Sequence, residues 1–189
     1  MIKSMIKSIF AGVMVGIACL VNLNVGAGWI GAILFSVGLL IIVYRGYNLF
    51  TGVVGYISTF KEIPFAVTCF IGNFIGLVLV ALSTDANTEL LVSSKLVIPL
   101  YQVFIKSIGC GYLMFTAVDI YKSKNNDIVG ILFCVPAFIL AGFEHCIADI
   151  FYVILSGMLD IEVLVFLLVV ILGNITGAQI GRVTTERTQ

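Results

Sequence analysis

One histidine occurs in this sequence, at position 145, and its neighbours are residue types that move protons or hold ions. It stands in the run Gly142-Phe143-Glu144-His145-Cys146-Ile147-Ala148-Asp149. An unperturbed imidazole pKa of about 6.5 puts its charge change within reach of physiological pH. The run sits inside a long apolar stretch, where each ionisable group costs roughly 2.5–3.5 kcal/mol on insertion scales. Groups that expensive pair with one another or face an aqueous path. A neutral imidazole bonded across helices would serve structure alone. A second polar interruption, Tyr44-Arg45-Gly46-Tyr47-Asn48-Leu49-Phe50-Thr51-Gly52, lies inside another apolar stretch. Arg45 there is expected to pair with Glu144 or Asp149, giving a charge network of Arg45, Glu144 and Asp149.

Other chemistries find little support. Glu144 and His145 beside Asp149 are too sparse for a di-metal site, and no phosphate loop or nucleophile triad accompanies them. Acid–base work by this trio is conceivable, but no cofactor site goes with it. The chain is therefore expected not to be an enzyme, and no cofactor or metal is implied. The five cysteines (Cys19, Cys69, Cys110, Cys134 and Cys146) fall inside apolar blocks without a CxxC pair. Packing is the expected role for all five.

The elements that must position these residues are membrane helices. Of 189 residues, 61% are hydrophobic and 11% charged, and the mean hydropathy is +1.19. A soluble domain carries about 25% charged residues, so lipid must be the main solvent here. A helical span needs roughly 20 mostly apolar residues. Six blocks fit, near Ile9–Leu23, Trp29–Ser58, Pro64–Leu82, Val97–Tyr121, Ile128–Ser156 and Ile161–Ile180. They leave no room for a soluble domain, so residues 1–189 read as one all-α integral membrane domain of six transmembrane helices. The opening MIKSMIK could pass for a signal peptide, but the first block lacks a convincing cleavage site and is needed as a helix. Equal numbers of basic and acidic residues suggest no nucleic-acid partner.

Charge sets the expected topology. One set of ends and loops holds Lys3, Lys7, Lys61, Lys122, Lys124, Arg182 and Arg187; the other holds Lys95, with Lys106 slightly further in. The basic side is expected to be cytoplasmic, which places both termini inside the cell at the inner (plasma) membrane. Asp119 and Arg182 fall near span ends and read as snorkelling or capping groups.

The chain also resembles itself. Ile6-Lys7-Ser8-Ile9 recurs as Ile105-Lys106-Ser107-Ile108, and Gly72-Asn73-Phe74-Ile75-Gly76 as Gly173-Asn174-Ile175-Thr176-Gly177, at offsets of 99 and 101. Each half, about 5–84 and 96–183, holds three spans, so the second half must lie upside down in the membrane. The second and fifth spans are too long and too interrupted to be straight. Inverted repeats with paired breaks point to a transport site, because irregular backbone at membrane depth survives only where it is buried in protein or lines a pathway.

At these breaks the sequence resembles the formate/nitrite transporter family. Ala137-Phe138-Ile139-Leu140-Ala141-Gly142-Phe143-Glu144-His145-Cys146-Ile147-Ala148-Asp149-Ile150-Phe151 is similar to the family's AF-x-x-x-GFEH-S-x-AN-MF signature. Leu49-Phe50-Thr51-Gly52 resembles its LFTG loop, and Gly173-Asn174 with Gly177 its GN-x-x-G. The resemblance implies an aquaporin-like protomer in a homopentameric channel for small monovalent anions or their weak acids. It implies that His145 is the central titratable group with Thr51 opposite. It also implies constrictions built from Phe35, Leu39, Leu49, Phe50, Met114 and Phe138, with Lys95 near the outer start of the fourth span drawing anions in. Ordinary packing is the alternative for the apolar members of that set. The sequence departs from the family at Asn48 and Val53 around LFTG, at Gly111 in place of an asparagine that holds the histidine, at Asp149 in place of asparagine, and at Arg45.

The expected route is an outer vestibule, one apolar constriction, Thr51 and His145, then a second constriction. A proton from or through His145 would let a weak acid cross in neutral form. Two alternatives stand beside this reading: a substrate-binding membrane subunit of a vitamin uptake system, and a channel of the same fold with altered selectivity.

Overall fold

A computed structural model describes residues 2–26 and 28–186. Arg187, counted above on the basic side, lies outside the described residues. In chain order the helices are α1 (Ile2–Val25), α2 (Trp29–Arg45), α3 (Phe50–Val53), α4 (Ile63–Ala81), α5 (Glu89–Leu96), α6 (Leu100–Ser123), α7 (Val129–Leu140), α8 (Cys146–Ser156) and α9 (Ile161–Glu186). Short 3-10 turns at Val54–Tyr56 and Phe60–Glu62 join α3 to α4.

Four helical stretches are long and apolar enough to cross a bilayer: Ile2–Val25, Phe60–Ala81, Leu100–Ser123 and Ile161–Glu186. At 1.5 Å per residue they reach roughly 33–39 Å. The second expected block counts as a further span only as a bent pair, Trp29–Arg45 with Phe50–Tyr56, at 58° to each other. The fifth block is cut into α7 and α8, of 12 and 11 residues, each too short to cross alone. The outward faces stay apolar: Val67, Ile71, Phe74 and Leu79 on α4, and Leu164, Leu168 and Leu172 on α9, are all exposed. Faces of this kind suit lipid and are foreign to a water-facing monomer. The protein is a multi-pass membrane protein.

Two close helix pairs form the frame, α1 on α4 and α6 on α9. A Cβ added to Gly12 would meet the Asn73 carbonyl oxygen at 2.1 Å, and one on Gly111 would meet that of Asn174 at 2.1 Å. Likewise a Cβ on Gly76 would meet the Ile9 carbonyl oxygen at 2.1 Å and one on Gly177 that of Ile108 at 2.0 Å. Only glycine lets these backbones touch, the usual device of helix packing in lipid. The same contacts thus recur in both halves of the chain, at the 99 and 101 offsets noted above.

The breaks end in matching fashion too. Gly46 has φ 60° and donates its N–H to the Val43 carbonyl, while Tyr47 N–H reaches Ile42. Gly142 has φ 64° and donates to Ile139, while Phe143 N–H reaches Phe138. Both are Schellman ends, closed by a left-handed residue that glycine adopts cheaply. Each stops its helix short and turns the chain inward.

Two sequence expectations change here. The loop after α4 contains helix α5, which ends just before Pro99, so Lys95 lies in its last turn and not at the start of the next span. Proline disfavours helical backbone in the residue before it, which separates α5 from α6. Arg45 does not sit at mid-depth. It is the last residue of α2 and is exposed. Seventeen residues have by then advanced roughly 25 Å, enough for the side chain to reach a polar boundary.

Candidate functional site

Two buried asparagines hold the breaks open. Asn73, on α4, accepts the Phe50 N–H at 2.8 Å through Oδ1 and donates Nδ2 to the carbonyls of Ser8 (2.8 Å) and Asn48 (2.9 Å). Asn174, on α9, accepts the Cys146 N–H at 2.8 Å and donates to the carbonyls of Ser107 and Glu144, each at 2.9 Å. Every partner in one set has a counterpart in the other. These side chains satisfy backbone groups that the breaks strand away from water, where an unpaired group costs about 1–3 kcal/mol. Sequence reading found the asparagines inside a repeated motif but gave them no role. Their signal was the recurrence itself.

The second asparagine fixes the entry to α8, whose N-cap is His145. His145 Nδ1 accepts the Ala148 N–H at 3.2 Å. That bond needs a bare Nδ1, so the ring hydrogen sits on Nε2 and is donated to Thr51 Oγ1 at 3.0 Å. Thr51 comes from α3, so the two breaks meet at this contact, as the family resemblance implied. Thr51 itself is fully buried. Gly111 has no side chain to offer the histidine, and an asparagine there would strike the Asn174 backbone.

Three cavities near this contact adjoin in series through shared wall residues. The first, about 640 Å³ and called outer after the expected topology, has Lys95, Lys106, Glu144, Asp149, Phe35, Phe138 and His145 among its walls. A void of about 10 Å³ follows, bounded by His145, Phe35, Leu39, Leu49 and Met114. The third, about 230 Å³, is roofed by Leu39 and Leu49 and reaches Tyr47, Asn48 and Lys122. The middle void is barely large enough for one water. His145 and Phe35 border both the outer cavity and the void; Leu39 and Leu49 border both the void and the inner cavity. Phe35 and Phe138 meet edge to face at 6.3 Å, and Phe138 stacks on the His145 ring at 5.8 Å. The arrangement is an imidazole in the wall between the outer cavity and a nearly closed apolar void.

Phe50 does not join them. It packs edge to face on Phe70 at 5.0 Å and helps line an apolar recess with Ile171 and Ile175 on another side of α3. Its backbone N–H, tied to Asn73, turns the side chain away from the cavities. The expected Arg45 network is also corrected. The carboxylates of Glu144 and Asp149 both pair with Lys95: Nζ contacts Glu144 Oε2 and lies 3.0 Å from Asp149 Oδ1. Helix α5 brings the ammonium over the start of α8, on the opposite side of the constrictions from Arg45. Burial works against the Lys95 charge, but Asp149 and Glu144 outweigh it and hold its pKa above the ordinary lysine value. Lys95 therefore reaches the outer cavity already neutralised. Lys106, on α6, also lines that cavity, and no ion pair to it is found among the described residues.

With this geometry in view, the comparisons with known proteins are specific. A family model for formate/nitrite transporters matches residues 1–184. A probable formate transporter of Methanothermobacter thermautotrophicus is 30% identical, over 77% of this chain and 69% of its own. The formate channel FocA of Haemophilus influenzae is 25% identical, over 69% of this chain and 56% of its own. An uncharacterized transporter of Bacillus subtilis, YrhG, is 28% identical, over 66% and 56%. The chain thus spans little more than half the length of two of these relatives. A solved pentameric formate channel with formate bound has a TM-score of 0.85 at 22% identity, covering 98% of this chain and 96% of its own. A solved FNT family ion channel reaches 0.90 at 21%, covering 100% and 90%. The two structures establish the fold.

Proposed function

The chain belongs to the formate/nitrite transporter family, and on that premise we propose that it is a transmembrane channel or transporter for small monovalent anions, with formate, nitrite and hydrosulfide as the substrates to test. Each protomer holds its own pathway, and five protomers assemble as a homopentamer whose contacts use the apolar outer faces. The domain consists of two inverted three-helix repeats, and both termini face the cytoplasm. The assembly proposal draws on the solved pentameric relative. The repeat proposal draws on the matched asparagine and glycine contacts.

The observation that carries this reading is the cavity–slit–cavity path with one histidine edge in its wall. Stripping water from an anion in an apolar slit is costly unless a hydrogen bond replaces it. The Nε2–H of His145, lent to Thr51 at rest, supplies a polar hydrogen at the narrowest part. Lys106, the lysine of that cavity not paired with Glu144 or Asp149, supplies the outer attraction, because a cation in a partly enclosed mouth raises the local anion concentration. The vitamin-uptake reading predicts no such path and no family match along residues 1–184.

The test is a flux panel in proteoliposomes with formate, nitrite, hydrosulfide, acetate, lactate and chloride, and ammonium as control. Formate, nitrite or hydrosulfide should cross faster than in empty vesicles, and ammonium should not. Ammonium flux with no anion flux would overturn the proposal.

A further inference from the structure

Two buried carboxylates share one ammonium in the wall of the outer cavity. Glu144 and Asp149 are 3% and 2% exposed, and Lys95 lies between them. If both acids are ionised the cluster carries a net negative charge away from bulk water, an expensive state unless something neutralises it. Asp149 lines the outer cavity; its Oδ1 takes Lys95, while Oδ2 is covered and has no hydrogen-bond partner among the described residues. A covered, orphaned carboxylate oxygen is a place for a proton, which a turn of the side chain would bring to the cavity. His145 is poorly placed for the same task, since Nδ1 is occupied by Ala148 N–H and Nε2 by Thr51.

We propose that Asp149 Oδ2 carries an exchangeable proton and gives it to a weak-acid anion in the outer cavity, before the anion reaches the Phe35–Phe138 slit. This rests on the anion-channel reading above and names the group that makes the passenger neutral. The Oδ2–H bond breaks and leaves its electron pair on Asp149, while a new O–H bond forms on the anion, so that formate becomes formic acid. The carboxylate left behind regains a proton from water in the outer cavity. Anion and proton then cross together with no net charge. The groups around Asp149 are Lys95 from α5, Glu144 and His145 from the break, and the Cys146 thiol and Tyr152 from α8. Lys106 and the Cys110 thiol approach from α6, and the Cys19 thiol and Asn22 from α1. Lys106 shares the cavity without pairing to either acid, which suits it to meeting the incoming anion.

The test compares wild type, Asp149→Asn and Glu144→Gln in proteoliposomes, reading formate uptake and internal pH together. Infrared difference spectra of the same samples report protonated carboxyl groups. Asparagine keeps the size of the side chain and one oxygen for Lys95, so assembly should survive, and pentamer content is checked directly. Wild type should show a protonated-carboxyl band at neutral pH that Asp149→Asn abolishes, and formate-linked proton uptake should fall by roughly 10²-fold, the scale of a lost general acid. Glu144→Gln leaves one acid for one ammonium and should lose the band as well, so wild type made with 13C-labelled aspartate, in which the band should shift, assigns it to Asp149. An unchanged band in Asp149→Asn, or unchanged proton uptake per formate, overturns the proposal. Wild type without formate flux but with the band would instead locate the failure in the function proposed above, and would overturn the donor step with it.

Discussion

Asn174 accepts the backbone N–H of Cys146 at 2.8 Å, and that one bond sets the direction of the residue before it, His145. The ring is aimed by a side chain from another helix, 29 positions further along the sequence. The same asparagine also closes two carbonyls, so its loss strands three backbone groups at once.

Replacing Asn174 by leucine should therefore cost about 3 kcal/mol or more. For a protein of this size that lowers the midpoint of thermal unfolding in detergent by roughly 6–12 °C. Asn73→Leu should cost a similar amount, because its three partners match. Differential scanning fluorimetry of the two variants checks both. A large loss at one site with none at the other would contradict the equivalence of the breaks.

Lys95 and Arg45 should behave as opposites. Lys95→Met leaves two buried carboxylates without their cation, a change worth about 3–5 kcal/mol. Arg45→Leu removes an exposed side chain at a helix end and should stay within about 0.5 kcal/mol. Thermal midpoints of the two purified variants decide it. Equal effects would restore the pairing of Arg45 with the acids.

Gly12→Ala and Gly111→Ala should each destabilise by about 1–3 kcal/mol through overpacking, since the added Cβ meets a carbonyl oxygen at 2.1 Å in both cases. Backbone shift is the only relief. Wild-type stability in either variant would show that the helix pairs can part more easily than the contacts suggest.

The turn at the entry to α4 gives a pH signature. Glu62 accepts the N–H groups of Ser58 (2.7 Å) and Thr59 (3.0 Å). An ionised carboxylate accepts such bonds better than a protonated one, so they should weaken when acid protonates Glu62. Amide exchange at Ser58 and Thr59, corrected for intrinsic rates, should rise in acid, and Glu62→Gln should show the raised rate already at neutral pH. Rates that do not change with either treatment would count against the cap.

Much of this site was legible in the sequence because it rests on residues that lipid makes costly. Glycines at Gly46 and Gly142, flanked by polar groups inside apolar blocks, marked both breaks, and the pairing of Thr51 with His145 followed from the family motif. What stayed hidden depended on short elements. Helix α5 has only eight residues and little apolar periodicity, so its role in carrying Lys95 to Glu144 and Asp149 left no pattern to read. Helix α3 has four, too few to say which side chains face inward, and Phe50 was accordingly placed on the wrong side. Arg45 was assigned by cost alone. That argument fails at a helix end, where a long side chain reaches water.

A small anion that crosses each protomer past His145 must sense the loss of that ring's nitrogens. Initial formate flux into proteoliposomes is recorded for wild type and His145→Phe from pH 5 to 8, normalised to pentamer content. Phenylalanine keeps the ring's bulk but removes the Nε2–H that Thr51 now receives, so assembly should persist. The account predicts formate flux in wild type and a loss of roughly 10²-fold or more in the variant, as expected when a desolvated ion loses its one polar contact, about 3 kcal/mol. Equal flux and an unchanged pH profile in both proteins would contradict it.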